Sequence, residues 1–408
     1  MKCRTVGLLI ISITFCLFSC EKGDGRFISL VNPTATTLLN QPVVIKRSDF
    51  GITADKYVRI QSTDASQLPV QFDDMDSDGL WDEMVFLIDV SANEQLKLPY
   101  SLISKEDMPF FPILTNAHLG VSEKRNDDFR SVNGHTMPTS HEPQSKPYLY
   151  QFEGPGWEND KIAFRAYFDD RNGKDIFGKT VPDVVLEQVG INENYHQLQP
   201  WGMDVLKVGN SLGAGSLAFT SNDSLYRLTD VDTQHVSIIS EGPVRSVIRF
   251  QYEGWRIAGQ TITITELIQI WAGKFHYDSE IKTDSLTNGQ IAVGMVNLYD
   301  LSLNTADHPS LSVFYTHGQQ SENKDVLGMA LLAPKQLFTG KNAIYEKETG
   351  ISDTYYMTLH SNENAVYYSF LGGWELSDHS FADKNQFQKH LTTVTTYYSN
   401  PLEISITQ

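Results

Sequence analysis

The chain has 408 residues, 50 of them acidic and 32 lysine or arginine, for a formal net charge of −18 at pH 7. A surface that acidic repels nucleic acid and anionic membrane, and it resists long anionic polymers unless cations gather locally. All three cysteines (Cys3, Cys16, Cys20) lie at the extreme N-terminus, so the rest of the chain offers neither a disulfide nor a thiol nucleophile.

Lys2 and Arg4 precede "VGLLIISITFCLF", an apolar run too short and one-sided to span a bilayer, and residues 1–19 read as a secretory signal. The run ends in "LFSC", a small residue directly before a cysteine, which is the arrangement bacterial lipoprotein processing needs. Cys20 is therefore expected to carry lipid as the first residue of the mature chain. That places the protein in the bacterial cell envelope, in the periplasm or on the outer membrane surface. Loss of the signal removes two positive charges, Lys2 and Arg4, and no acidic residue, taking the charge from −18 to −20. No later segment is apolar for long enough to cross a bilayer, so membrane contact is expected through the anchor only.

Residues 20–26 form a polar tether. From Phe27, short β-rich runs such as "PVVIKR", "YVRIQS" and "MVFLIDV" are punctuated by turn residues, predicting a small β-sandwich over 27–132. The polar stretch 133–147, "NGHTMPTSHEPQSKP", reads as a linker. From Tyr148 strands dominate, and "HSNENAV" reads as a hairpin loop between two of them. One helix is predicted at 383–398, where Phe387, Leu391, Val394 and Tyr398 recur at helical spacing before Asn400-Pro401 stops it. "LEISIT" closes the chain as a strand. So many strands without βα alternation predict an all-β fold, with a large antiparallel supersandwich over 148–408 behind the small domain.

Within the small domain, "QFDDMDSDGLWDEMVF" (71–86) holds a calcium-type spacing. Numbered from Asp74, the residues Asp74, Asp76 and Asp78 fall at alternate positions, Gly79 follows, and the Leu80 carbonyl and Asp82 complete the set. Alternate carboxylates on a tight turn supply the oxygens that Ca²⁺ requires. Without an ion they would repel one another. The expected role is structural, because no His, Arg or Tyr adjoins the loop.

Two stretches of the large domain concentrate residues a core does not need. On "KIAFRAYFD", alternation puts Ile162, Phe164, Ala166 and Phe168 on one face and Lys161, Arg165, Tyr167 and Asp169 on the other. That second face is either a substrate groove or a solvated sheet. In "NYHQLQPWGMDVLKVGNSLGAG" (194–215), His196, Trp201, Asp204 and Lys207 share a Gly-rich loop. His196 suits general acid–base work because its ordinary pKa is near neutrality, and Trp201 suits stacking on a sugar ring. Glu266 lies in phase with Ile262, Ile264, Ile268 and Ile270, so it is either an active-site acid or half of a buried ion pair with Arg245 or Arg249. His276, Asp278 and Glu280 share a face that reads as solvated.

The motifs "GPGWENDKIAFRAYFDDRNGKDIFGK", "YHQLQPWGMDVLKVGNSLGAGS" and "EGPVRSVIRFQYEGW", with the acidic "DDMDSDGLWDEMVF", resemble bacterial lipoproteins of the family of unknown function DUF4861 over most of the mature chain. "GPVRSVIRF" is also similar to a strand of the galactose-mutarotase-like supersandwich, shared by sugar epimerases and the β domains of several lyases and glycosidases. The resemblance implies a carbohydrate ligand or substrate and leaves the reaction open. The leading expectation is a lyase or hydrolase acting on uronate-containing oligosaccharides. In a lyase, Arg165 or Lys207 would neutralise the carboxylate, His196 would act as base and Tyr167 as acid, with Asp204 also in the site. One alternative is a mutarotase-like isomerase using His196 and Glu266. The other is a glycan-binding lipoprotein with Trp157, Trp201 and Trp374 as a stacking platform.

Overall fold

The computed structural model describes residues 25–62, 66–123, 128–138, 148–222, 224–284, 286, 289–345, 350–361 and 365–408. The signal segment, Cys20 and linker residues 139–147 lie outside the described residues. Among those described, no helix is long and apolar enough to cross a membrane.

The small sandwich packs two antiparallel sheets. One runs, in spatial order, Glu403–Thr407, Phe27–Val31, Gln95–Ile103 and Tyr57–Ile60, and the other Leu38–Lys46, Glu83–Val90 and Val70–Asp73. Ile28, Leu30, Met84, Phe86 and Leu98 alternate inward from the strands, and Phe50 from a short helical turn joins them in the core. The closing strand of the chain thus belongs to this sandwich, with Ile28 paired to Ile406, and not to the large one. The small domain is also shorter than its sequence pattern suggested. Thr115–His118 and Gly134–Thr136, from the stretches read as sandwich and linker, both join sheets of the large unit.

The large unit is an antiparallel supersandwich. A nine-stranded sheet runs Gly134–Thr136, Thr233–Ser240, Arg245–Ile257, Gln260–Trp271, His276–Thr283, Ala365–Trp374, Val326–Pro334, Leu311–Gln319 and Asn304–Ala306. Two five-stranded sheets belong to the same unit. The first runs Thr115–His118, Gly156–Asn159, Ile162–Ala166, Lys174–Lys179 and Gly202–Asp204, and the second is built around Ala214–Ser221 and Gln290–Val296. Thr354–Leu359 lies in this second sheet and Ala365–Trp374 in the nine-stranded one, so the strands on either side of "HSNENAV" do not pair as a hairpin; residues 362–364 lie outside the described residues.

Aromatic residues fill the space between the layers. The Phe164 ring meets Tyr277 edge-on at 4.9 Å and Phe370 at 6.2 Å, and Trp157 meets Tyr277 at 5.4 Å. Each such contact adds about 0.5–1.5 kcal/mol beyond area burial. Trp157 and Trp374 are both completely buried, and Trp374 donates its indole N–H to Asp325 at 2.7 Å. With Trp201 packed separately against Phe177, the three tryptophans form no common platform. Their bulk is core.

The predicted helix is observed as Lys384–Ser399, capped by the Asp383 carboxylate, which accepts from the Gln386 N–H. It buries Phe387, Leu391 and Val394, and its C-terminal turns lie over the outer face of the nine-stranded sheet. His276 on that face is buried near Tyr397 and Tyr398, not solvated.

Arg245 joins the two units. It is buried, its Nε donates to Asp73 at 2.6 Å and its guanidinium also pairs with Glu83. Gln71 accepts from the Val244 and Arg245 N–H groups and donates to the Arg245 carbonyl at 2.7 Å. Arg249 donates to the Met75 carbonyl at 2.8 Å. The flanks of the acidic loop therefore dock the small sandwich on the large one.

Candidate functional site

Glu266 shows what the pleat decides. It sits opposite Phe250, on the face that packs inward, whereas Arg245 and Arg249 point away to the small sandwich. Neither arginine can reach it. Its partner is Lys174 from the facing five-stranded sheet, at 2.6 Å, with Ser279 and Tyr368 donating at 2.7 and 2.8 Å. Lys174 also donates to Tyr368 and to the Gly215 carbonyl. All of these groups are buried between the layers. The predicted buried ion pair exists, with a different cation, and the Glu266 carboxylate is enclosed by it.

The outer face of the same five-stranded sheet carries a second network. Alternation along Ile162–Ala166 sends Phe164 inward and Arg165 outward, as the sequence predicts. The segment 182–200 then folds over this face, packing Leu186, Val189 and Tyr195 against Phe152, Ala163 and Phe177. Arg165 is consequently buried. It donates to Asp204 at 2.9 Å, to the Tyr167 hydroxyl at 2.8 Å, to the Phe152 carbonyl at 3.1 Å and to Asp175. Tyr167 in turn donates to Asp175 at 2.9 Å. Gly202 lets the strand bearing Asp204 lie this close: its φ is 134°, and a Cβ there would sit 1.8 Å from the Gly178 carbonyl oxygen.

One end of this network reaches solvent. The His196 side chain is 59% exposed, and its Nδ1 lies 3.3 Å from the Asp204 oxygen that Arg165 also holds. Its ring packs 4.3 Å from Tyr195. The hydrogen bond to Asp204 raises the His196 pKa, against the opposing effect of burial. With Nδ1 turned to the carboxylate, Nε2 is the nitrogen left to exchange a proton. Burial first, and Asp204 second, raise Asp175 against the pull of Arg165.

Beside His196 lies a pair that sequence reading did not single out. Arg171 is 23% exposed, bridges Glu153 and Asp169, and stacks 3.7 Å over the Tyr167 ring. Burial acts to raise Glu153, but Arg165 and Arg171 outweigh it and hold its pKa low. Phe152 and Glu153 both adopt left-handed backbone, φ 36° and 70°. Non-glycine residues hold such angles at a cost of about 1–3 kcal/mol each, and they cluster at functional sites. The "DDRNG" turn after the Arg165 strand was the available signal for Arg171. Nothing local marks Glu153, whose geometry depends on chain packed around it.

Arg165, Tyr167, His196 and Asp204 are thus brought together from two separate motifs. Lys207 is exposed and outside the cluster, and Trp201 donates its indole N–H to Glu193 at the edge of the covering segment. Arg165 is completely buried beside two carboxylates, so it cannot reach a substrate carboxylate. The Tyr167 hydroxyl is likewise held by Asp175.

In the acidic loop, ligand oxygens of Asp74, Asp76 and Asp78 lie within 4.8 Å of one another. Asp74 accepts from the Ser77, Asp78 and Gly79 N–H groups, Asp78 from Leu80, and Asp82 from Met75 at 2.8 Å. Gly79, at φ 89°, makes the turn possible.

Among solved structures, the chain is similar to an alpha-mannosidase from Enterococcus faecalis V583, with TM-score 0.46 and 8% identity over 94% of this chain and 46% of that one. It is similar in the same way to a glycosyl hydrolase family 38 protein from Enterococcus faecalis, with TM-score 0.46 and 9% identity over 94% and 47%. The chain spans about half the length of these structures. A protein of Formosa agariphila named "Uncharacterized protein P7" is 23% identical over an alignment of 434 residues covering 99% of each chain. Residues 30–404 match the family described as Domain of unknown function (DUF4861), and the chain belongs to that family.

Proposed function

We propose that this protein is a carbohydrate-active enzyme that cleaves uronate-containing oligosaccharides, with His196 as its proton-transfer residue. The observation that carries the reading is the half-exposed His196 imidazole held by a buried Asp204, which is itself fixed by Arg165. The sugar class rests on the supersandwich architecture, which the family resemblance associates with sugar enzymes; the fold alone does not choose the reaction.

In the lyase form of this reading, the exposed edge of Arg171, whose other edge Glu153 and Asp169 hold, faces the uronate carboxylate and makes the neighbouring C–H more acidic. His196 Nε2 takes that proton, the electron pair becomes the new ring double bond, and the bond to the leaving oxygen breaks. The imidazolium then returns its proton to that oxygen. Arg165 and Tyr167 act as positioning residues for Asp204 and Arg171.

The test is a turnover screen against uronate-containing oligosaccharides, following unsaturated-uronide absorbance and new reducing ends. Absorbance lost in His196→Ala supports the lyase, and reducing ends without absorbance identify a hydrolase. Silence in both, with binding retained, leaves an isomerase or a glycan-binding protein.

We also propose a structural Ca²⁺ at Asp74, Asp76, Asp78 and Asp82 with the Leu80 carbonyl, and a lipid anchor on Cys20. The clustering of the three alternate carboxylates supports the first. Saturating calcium at about 100 times its Kd is expected to stabilise the fold by about 2.7 kcal/mol, and Asp76→Asn to remove that gain. Fatty-acid labelling abolished by Cys20→Ser tests the second.

A further inference from the structure

The other outer face of the supersandwich contains a cavity of about 380 Å³ that takes no residue from the His196 cluster. It opens where three parts of the chain meet: the 36–41 segment of the small sandwich, the 273–276 edge of the nine-stranded sheet, and the C-terminal helix. Its size suits a monosaccharide or a little more.

The groups lining it are chemically incomplete. His276 is 2% exposed, and neither of its ring nitrogens has a hydrogen-bond partner among the described residues. Nε2 of His390, across the cavity on the helix, has none either. Buried polar atoms are almost always satisfied by protein, water or ligand, so three imidazole nitrogens without a protein partner beside one cavity leave hydrogen-bonding capacity for something that enters it. Burial keeps both rings neutral, lowering His276 well below its ordinary value and His390 to about 4. Each then offers one donor and one acceptor.

Lys274 supplies charge. Its ammonium lies 5.1 Å from the Tyr397 ring, and no carboxylate among the described residues forms an ion pair with it. Burial lowers its pKa to about 8, which leaves it mostly protonated at pH 7, and the acidic groups Asp278 and Asp89 oppose that shift at longer range. The helix adds acceptors: Thr392, Thr393 and Thr396 donate their hydroxyl protons to the carbonyls of Gln388, Lys389 and Thr392, leaving oxygen lone pairs outward. A complementary ligand therefore carries an anion together with several hydroxyl groups. In a chain of net charge −18, an unpaired cation beside hydrogen-bonding imidazoles is the kind of local feature that an acidic sugar requires.

We propose that this cavity binds a monosaccharide-sized sugar acid, its carboxylate on Lys274 and its hydroxyls bridging His276 and His390 to the threonine oxygens. The site is separate from the His196 cluster and does not depend on that reading. Binding of glucuronate to the full chain in detergent is measured by calorimetry, with glucose and acetate as comparison probes. Saturable binding of glucuronate, weaker for both comparison probes, is expected. Lys274→Met is expected to weaken it at least about tenfold, the value of one charge-assisted hydrogen bond, and His276→Asn to weaken it while thermal melting stays cooperative. Histidine side-chain nitrogen resonances of His276 and His390 should shift with glucuronate, and binding should survive His196→Ala. The proposal is overturned if glucuronate does not bind, or if binding is lost in His196→Ala and kept in Lys274→Met. It is equally overturned if His276→Phe raises the melting temperature while glucuronate shifts no histidine resonance, which would mark a water-filled void.

Discussion

Lys174 and Arg165 are buried cations on adjacent strands of one five-stranded sheet, and they end in opposite situations. Lys174 points between the layers, where Glu266, Tyr368 and the Gly215 carbonyl surround it. Arg165 points outward under a covering segment, and its network leaves Nε and the Asp204 Oδ1 without partners while reaching a half-exposed histidine. The first network is closed, and its chemistry ends in stability. The second is open at one end, and there a proton can be exchanged with something outside. Burial of charge by itself does not mark a functional site; what distinguishes the two is a connection to solvent.

The comparison breaks most readily at Lys174. Lys174→Met should cost about 3–5 kcal/mol in urea unfolding, because it strands the Glu266 carboxylate in the core. Replacing both partners, as Lys174→Met with Glu266→Leu, should recover most of that loss. A single substitution without cost would mean that the closed network is not what holds the layers.

His196→Ala should do the reverse. Turnover is expected to fall by about 100-fold or more, while unfolding free energy changes by no more than about 0.5 kcal/mol, as for a surface position. A large stability loss with turnover intact would make the open network structural as well.

The smallest effect concerns pH. Because Asp204 raises the His196 pKa above its ordinary value of 6.5, folding gains stability from the protonated imidazole. That gain is fully present below the unfolded value and is lost as pH rises through the raised folded value. Asp204→Asn should return the His196 titration, followed by NMR, toward the ordinary value and shrink this window. An unchanged titration would show that the two residues are not coupled in solution.

Much of this was legible in the chain. The alternation in "KIAFRAYFD" assigns Phe164 and Arg165 to opposite faces, the spacing of Phe387, Leu391 and Val394 locates the helix, and the motifs holding Arg165 and His196 stand out by their density of polar and aromatic residues. The errors share one cause. Adjacency in sequence suggests an arginine of the neighbouring strand as partner for Glu266, whereas the pleat turns Arg245 and Arg249 the other way. The pattern around His276 suggests a solvated face because nothing near it announces a helix more than a hundred residues later.

The sequence by itself determined the all-β class, the inward and outward faces of the strands, the tight acidic turn and the helix, because each depends on side-chain periodicity or turn chemistry within a short stretch. Only the tertiary structure decided which outward faces are covered and which charges meet. Lys174 finds Glu266 across 92 positions of chain, and Arg245 finds Asp73 across 172. Burial and ion pairing are properties of what lies over a residue, and a local pattern carries no record of that.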